Sequence, residues 1–110
     1  MNIEDLRLYA LSFESVTEGF PFGEGTLVFK VQNKIFLLAS LTAEPLQFNV
    51  KCDPDEAVLL REKYDAVQPG YHMNKKHWNT IIVDGTIPSS ELKEFVKNSY
   101  DLVSKKKSGK

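Results

Sequence analysis

The side chains best suited to binding chemistry in this sequence are concentrated in residues 69–80, which read PGYHMNKKHWNT. Lys75 and Lys76 supply positive charge that can pair with phosphate oxygens. Rings that can stack on bases and hydrogen-bond through their edges surround the lysines: Tyr71, His72, His77 and Trp78. This mixture predicts a nucleic-acid contact. The same residues also permit a structural interpretation, in which Tyr71 and Trp78 anchor a loop in the core and the lysines are ordinary solvated charges.

A second pair of lysines, Lys30 and Lys34, flanks Gln32 and Asn33, where the sequence predicts a two-residue hairpin turn. A projecting β-hairpin can enter a groove of DNA or straddle its backbone. The two pairs of lysines together would then form a clamp. Lysines beside hairpin turns are also common solubilising residues, and this alternative stays open.

The histidines and the single cysteine match no recognised catalytic or metal site. His72 and His77 are five residues apart and Cys52 is distant from both, whereas zinc sites use arrangements such as Cys-x-x-Cys or His-Glu-x-x-His. The sequence also lacks a nucleophile elbow, a Walker loop and a dinucleotide fingerprint. We therefore expect no metal, no cofactor and no enzymatic activity.

Cys52 lies beside Lys51 at the predicted N-terminus of a helix, where the helix dipole favours a thiolate. Asp53 and Asp55 oppose that effect through their negative charge. We therefore interpret Cys52 as a small buried residue at the end of a strand.

The composition is that of one globular domain, because the chain has 110 residues, of which 42% are apolar and 26% charged. Its formal net charge of -1 gives no whole-molecule attraction to DNA or to an anionic membrane, so any basic surface must be local. The part up to Glu62 has five basic and ten acidic residues, and the rest has nine basic and five acidic residues. We divide the chain into a single domain at 1–104 and a lysine-rich tail at 105–110, which we expect to be flexible.

Location follows from the absence of targeting signals. The N-terminal residues lack the basic and apolar regions of a signal peptide, and one cysteine cannot form an intramolecular disulfide. No apolar run approaches the roughly 20 residues that cross a bilayer. We expect a cytoplasmic protein without membrane contact, and we expect it to be a monomer.

Helices are predicted from apolar spacing and from capping residues. Asp53 offers an N-cap carboxylate and Glu56 stands three residues beyond it, which is the pattern of a capping box. The predicted helices run from Ile3 to near Glu14, from Pro54 to about Tyr64, and from Pro88 towards the end of the domain.

Strands are predicted where β-branched and aromatic residues cluster or alternate with polar ones. The predicted strands are Thr26–Val31, Lys34–Ala39, Leu46–Val50 and Trp78–Val83. The first three follow one another too closely for the helical crossovers of a parallel sheet. We therefore predict an α+β fold, a two-layer sandwich in which an antiparallel sheet has its helices packed on one face.

Several blocks of the sequence together carry a resemblance to a known family. The blocks are Pro21-Phe22-Gly23, Val28-Phe29-Lys30-Val31, Lys51-Cys52-Asp53-Pro54, the stretch from Pro69 to Asn79, and Ser99-Tyr100. They resemble the MmcQ/YjbR family over nearly the whole chain except the lysine tail. The resemblance implies a bacterial protein with the CyaY-like α+β fold and a proposed DNA-binding role in which β-hairpin projections act as a double wing.

The same fold class includes frataxin-like iron binders, which would require a dense acidic ridge on the first helix and the adjoining strand. That region has only scattered carboxylates, at Glu4, Asp5, Glu14 and Glu18. Because oxygen-rich iron sites need clustered carboxylates, iron binding is the weaker interpretation.

The leading hypothesis is a DNA-binding protein that grips the phosphate backbone with Lys30, Lys34, Lys75 and Lys76. In this hypothesis the contact is shaped by the four rings: Tyr71, His72, His77 and Trp78. The alternative is a non-enzymatic module that binds a protein or a small anion, with residues 69–80 as a rigid wall. An enzyme would need a histidine and an acid in one cleft, which sequence alone cannot place.

Overall fold

The computed structural model describes residues 1–70 and 73–104 of the chain. Within these residues, three α-helices and six β-strands occur in this order: α1 (Ile3–Leu11), β1 (Val16–Gly19), β2 (Thr26–Val31), β3 (Lys34–Ser40), β4 (Gln47–Lys51), α2 (Pro54–Lys63), β5 (Val67–Pro69), β6 (Trp78–Ile82) and α3 (Ser89–Ser104). The predicted tail at 105–110 lies outside the described residues.

The strands form one antiparallel sheet with the order β1-β2-β3-β4-β6-β5. Alternate side chains of the strands and apolar side chains of the helices form one buried cluster. The cluster contains Leu6 and Ala10 of α1, Phe29, Phe48 and Ile81 of the sheet, and Leu92, Phe95 and Val96 of α3. The helices therefore cover one face, which confirms the predicted α+β two-layer architecture. We call the other surface of the sheet the open face.

The hairpin between β2 and β3 turns at the predicted residues. Gln32 and Asn33 have φ of 54° and 66°, the left-handed values that a two-residue hairpin loop requires at both central positions. The pairing shifts between Phe29 and Lys30, where β3 contains Phe36 as an extra residue. This bulge places Phe36 and Leu37 together in the core.

Two details of the helix boundaries differ from the predictions. Helix α1 ends at Leu11 rather than near Glu14. Helix α2 begins at Pro54 as predicted, but the Asp53 carboxylate makes no capping hydrogen bond. Asp53 is exposed, so its carboxylate remains solvated, and the proline, whose φ is already helical, begins the helix without it.

The edge strands β1 and β5 were not predicted. They contain four and three residues, too few to display a clear period-two pattern. Their pairing with β2 and β6 holds them in place instead. Short edge strands of this kind also limit unwanted pairing with other chains.

A buried serine joins α3 to two strands. The Ser99 hydroxyl is fully buried, donates to the carbonyl of Phe36 at 2.6 Å and accepts from the N–H of Lys51 at 2.9 Å. It thereby satisfies two backbone groups at the bulge of β3 and the end of β4. The neighbouring Tyr100 donates to the carbonyl of Glu14 at 2.7 Å and stacks on Phe13.

Within the described residues, no helix combines the length and the apolar character that crossing a lipid bilayer requires.

We expect Ser99→Ala to reduce the free energy of unfolding by about 1–3 kcal/mol, because two buried backbone groups lose their partner. Urea denaturation followed by circular dichroism measures this loss. Ser90→Ala provides the matched control, since Ser90 is an exposed serine of the same helix and should change stability by less than about 0.5 kcal/mol. Equal stability of the two variants would contradict the role assigned to Ser99.

Candidate functional site

An arginine of α2 binds the turn at residues 73–77 through hydrogen bonds. The Arg61 guanidinium donates from Nε to Oδ1 of Asn79 at 2.7 Å and from Nη2 to the backbone carbonyl of Lys75. The Nη2 atom also lies 3.4 Å from the carbonyl of Trp78. Asn79 is buried and donates its amide to the carbonyl of Ala57. One planar cation and one amide therefore fix this turn to α2.

Backbone hydrogen bonds complete the turn. The carbonyl of Asn74 accepts from the N–H groups of His77 and Trp78, and its side-chain oxygen accepts from the N–H of Lys76. The N–H of Cys52 then donates to the carbonyl of His77 at 2.7 Å, which extends the β4–β6 pairing past the strand ends. The backbone at Lys75 and Lys76 is therefore held by hydrogen bonds with Arg61 and Asn74.

Gly70 permits the close approach that closes this segment. Its N–H donates to the carbonyl of Trp78 at 3.0 Å. A Cβ at position 70 would lie 3.0 Å from the Cβ of Trp78 and 3.1 Å from its carbonyl oxygen, so Trp78 would have to shift by a few tenths of an ångström. Glycine at position 70 thus avoids a tight contact with backbone atoms of Trp78.

The sheet register places both pairs of lysines at one end of the sheet. Lys30 and Lys34 lie at the β2–β3 hairpin, where β3 begins. Strand β4 runs antiparallel to β3, and β6 antiparallel to β4, so the turn with Lys75 and Lys76 precedes β6 at the same end. Only β4 separates β3 from β6, so these two strands are about 10 Å apart. Lys34, Lys75 and Lys76 are exposed, and Lys30 is half-buried.

Two of the four aromatic or imidazole rings predicted for the contact lie within the described residues. His77 and Trp78 are half-buried, and their backbones hold the turn as described above. Trp78 pairs with Lys51 across β4 and β6 at the lysine end of the sheet. Tyr71 and His72 lie outside the described residues.

A groove of about 570 Å³ occupies the middle of the open face. Leu38, Asn49 and Thr80 are paired across three neighbouring strands and form one row of its floor. A second row contains Thr26, Ser40 and Gln47. Ile35, Phe22 and Met73 complete the lining. The volume lies within the range of small-ligand sites.

Phe22 reaches the groove from a tight turn before β2. The N–H of Gly23 donates to the carbonyl of Phe20, which closes a four-residue turn with Pro21 at its second position. Gly23 has φ of +110°, which L side chains rarely adopt. The turn leaves Phe22 at its tip with 65% of its surface exposed.

The sequence did not identify this groove. Gln47 and Asn49 were visible only as the polar members of an alternating strand, and Phe22 only as part of a family block. Their common feature is that they lie on the uncovered side of the sheet, which becomes apparent once the strand order is known. Arg61 was also missed, because an arginine in a helix has the pattern of a solvated charge.

Cys52 faces a different cavity, between α2 and α3. Burial, together with the carboxylates of Glu56 and Asp53, raises the pKa of its thiol to about 11, against a smaller opposing effect of Arg61. Cys52 follows the last residue of β4, as predicted, but it is half-buried rather than buried. Among the residues that the structure describes, no group of three or more histidine, cysteine or acidic side chains could hold a metal ion.

Comparisons with known proteins give a consistent family and fold. The YjbR family model matches residues 11–102. The uncharacterized protein YbdF of Escherichia coli O157:H7 is 36% identical, covering 91% of this chain and 82% of its own, and the uncharacterized protein YjbR of Escherichia coli K12 is 28% identical, covering 91% and 85%. A crystal structure of the Deinococcus radiodurans protein DR2400, with the domain DUF419, superposes with a TM-score of 0.91 at 39% identity, covering 99% of this chain and 83% of that one.

Gly70→Ala should destabilise the fold by about 1–3 kcal/mol, because the new Cβ would press against backbone atoms of Trp78. Gly19→Ala is the matched control, since a Cβ there would meet nothing within 4 Å. Thermal and urea unfolding of both variants provide the comparison. If Gly70→Ala were as stable as Gly19→Ala, the close approach would not constrain the chain.

Alkylation of Cys52 should be slow at pH 8 and should accelerate as the pH rises towards about 11. Raising the thiol pKa from 9.0 to about 11 lowers the thiolate fraction at pH 8 roughly 100-fold. The rate of iodoacetamide labelling between pH 7 and 11 measures this, with the urea-unfolded protein as control. A rate in the folded protein that levels off near pH 9 would be the opposite result.

Proposed function

The chain belongs to the YjbR family, and from that premise we propose that it is a cytoplasmic, non-enzymatic protein that binds DNA. The proposed grip is on the phosphate backbone, through Lys30, Lys34, Lys75 and Lys76, with His77 and Trp78 shaping the contact. This role extends the hypothesis drawn from the sequence to a defined end of the sheet. We call that end, with its four lysines, the lysine end.

The observation that carries the proposal is the common location of the two lysine pairs. A backbone clamp needs two positive projections near each other, and the strand register supports this because both lysine pairs belong to the same end of the sheet. The intervening β4 keeps strands β3 and β6 about 10 Å apart, the width of two strand-to-strand intervals. A β-hairpin and a turn at one sheet end also suit the double-wing role proposed for the family.

One acidic side chain near Lys30 is engaged by an arginine. Glu18 of β1 lines a depression together with Lys30, and it accepts two hydrogen bonds from Arg7 at 2.7 and 2.8 Å. The Arg7 guanidinium also lowers the pKa of the Glu18 carboxyl. Within the described part of the chain, Lys30, Lys34 and Lys76 take part in no ion pair. These three lysines are therefore not neutralised by a direct ion pair within the described residues.

The rigidity of the turn supports the same proposal. Arg61 holds the backbone of Lys75, and Asn74 holds that of Lys76. Lysines on a fixed backbone lose less conformational entropy on binding than lysines on a loose loop. A fixed backbone of this kind lowers the entropic cost of binding a regularly spaced chain of phosphates.

If about four phosphates are neutralised, log affinity should fall against log salt concentration with a slope of roughly -4. The double variant Lys75→Ala, Lys76→Ala should reduce the slope to roughly -2 and weaken binding at low salt, as should Lys30→Ala, Lys34→Ala. Fluorescence anisotropy with labelled DNA, single-stranded and duplex, measures both quantities.

The control for charge is the double variant Lys93→Ala, Lys97→Ala, which removes the same two charges from exposed positions of α3. It should leave the slope close to the wild-type value. Binding that does not change with salt, or absence of binding to any DNA, would contradict the proposal. DNA binding that the Lys75→Ala, Lys76→Ala variant leaves unchanged would favour the alternative of a protein- or small-anion-binding module for this turn.

A further inference from the structure

The groove on the open face has a lining with a distinctive chemistry. Its floor offers two amides and three hydroxyls, from Gln47, Asn49, Thr26, Ser40 and Thr80. Apolar side chains stand beside them: Phe22, Ile35, Leu38 and Met73. Among the described residues that line the groove, none carries a charge. Such a surface suits an uncharged, flat ligand whose edge forms hydrogen bonds and whose face is apolar.

The amide groups retain capacity for a ligand. Asn49 accepts from the Thr80 hydroxyl through Oδ1, and its Nδ2 has no hydrogen-bond partner within residues 1–70 and 73–104. The side chain of Gln47 has no partner within those residues either, although it is half-buried. Amides of this kind can donate to and accept from the edge of a base.

Phe22 provides a surface for stacking. It is 65% exposed at the tip of a turn that Pro21 and Gly23 define, so its ring lies beside the groove without being packed in the core. Stacking of a base on such a ring is favourable for every base, since each has an aromatic face. Met73 lines the same groove and, as a polarizable thioether, adapts to flat ligands.

The groove adjoins the lysine end directly. Lys30 is the cross-strand partner of Ile35, and Ile35 lines the groove. Side chains of such partners on one face lie about 5 Å apart. A strand whose phosphates contact Lys30 would therefore carry its nearest base over the open face.

We propose that the open-face groove receives one unstacked nucleobase of a DNA strand held at the lysine end, with Phe22 stacking on the base and Gln47 and Asn49 bonding to its edge. This inference rests on the proposed function for the phosphate contacts. Bases in an intact duplex are stacked and paired, so the groove gives the protein a preference for single-stranded DNA.

The first test separates the base from the phosphates. Anisotropy titrations compare a single-stranded oligonucleotide with an abasic strand of the same length, which has the same phosphates and lacks the bases. We expect the intact strand to bind at least about fivefold more tightly, the lower limit of what one base-aromatic stack contributes. Both strands should show similar salt dependence, because their phosphates are the same.

The second test locates the base. Phe22→Ala should remove most of the difference between the intact and the abasic strand. Phe20→Ala is the matched control, since Phe20 is an exposed phenylalanine of the same turn, 51% exposed, that lines the neighbouring depression and not the groove. It should change affinity less than twofold. Because both rings are exposed, neither variant should unfold, and circular dichroism verifies this.

The outcomes distinguish this inference from the proposed function. Equal, salt-dependent binding of the intact and abasic strands, or equal effects of Phe22→Ala and Phe20→Ala, would overturn the groove assignment and leave the lysine grip standing. Absence of binding to either strand would overturn both. A free deoxynucleoside that binds as tightly as the intact strand would overturn the assignment of the base to DNA, because the phosphates would then add nothing.

Discussion

The constraint on which the rest of this structure depends is that the helices pack on one face of an antiparallel sheet. Burial of alternate side chains in β2, β3, β4 and β6 against α1 and α3 contributes most of the apolar core. The remaining side chains of the same strands must then face outward. The open face thus exists because the opposite face of the sheet is buried in the core. The rows of side chains on the groove floor have the regular spacing of the strands that carry them.

Buried and half-buried polar side chains fix the lysine end of the sheet to the helices through hydrogen bonds. Arg61 and Asn79 tie the turn to α2, and Ser99 ties the bulge of β3 and the end of β4 to α3. These contacts are few, but each satisfies backbone groups that would otherwise lack a partner. The contacts with Arg61 and Asn79 reach this turn from α2, and Lys75 and Lys76 are both exposed.

The sequence predicted the parts of the fold that repeat locally. The hairpin at Gln32 and Asn33 and the start of α2 at Pro54 have clear chemical signals, and the structure contains both. Edge strands β1 and β5 are too short for a periodic signal and depend on their neighbours. The groove could not be predicted, because Phe22, Asn49 and Thr80 are distant in sequence and meet only through the strand order.

Gly70 has a consequence for how this surface can evolve. The atoms that exclude a side chain at position 70 include the carbonyl group of Trp78, which every residue type possesses. Replacement of the tryptophan would therefore leave this close contact in place. Met73 and Lys76, in contrast, can be exchanged without disturbing that contact. The backbone contact between Gly70 and Trp78 thus limits substitution at position 70, whereas the side chains of Met73 and Lys76 can change without affecting it.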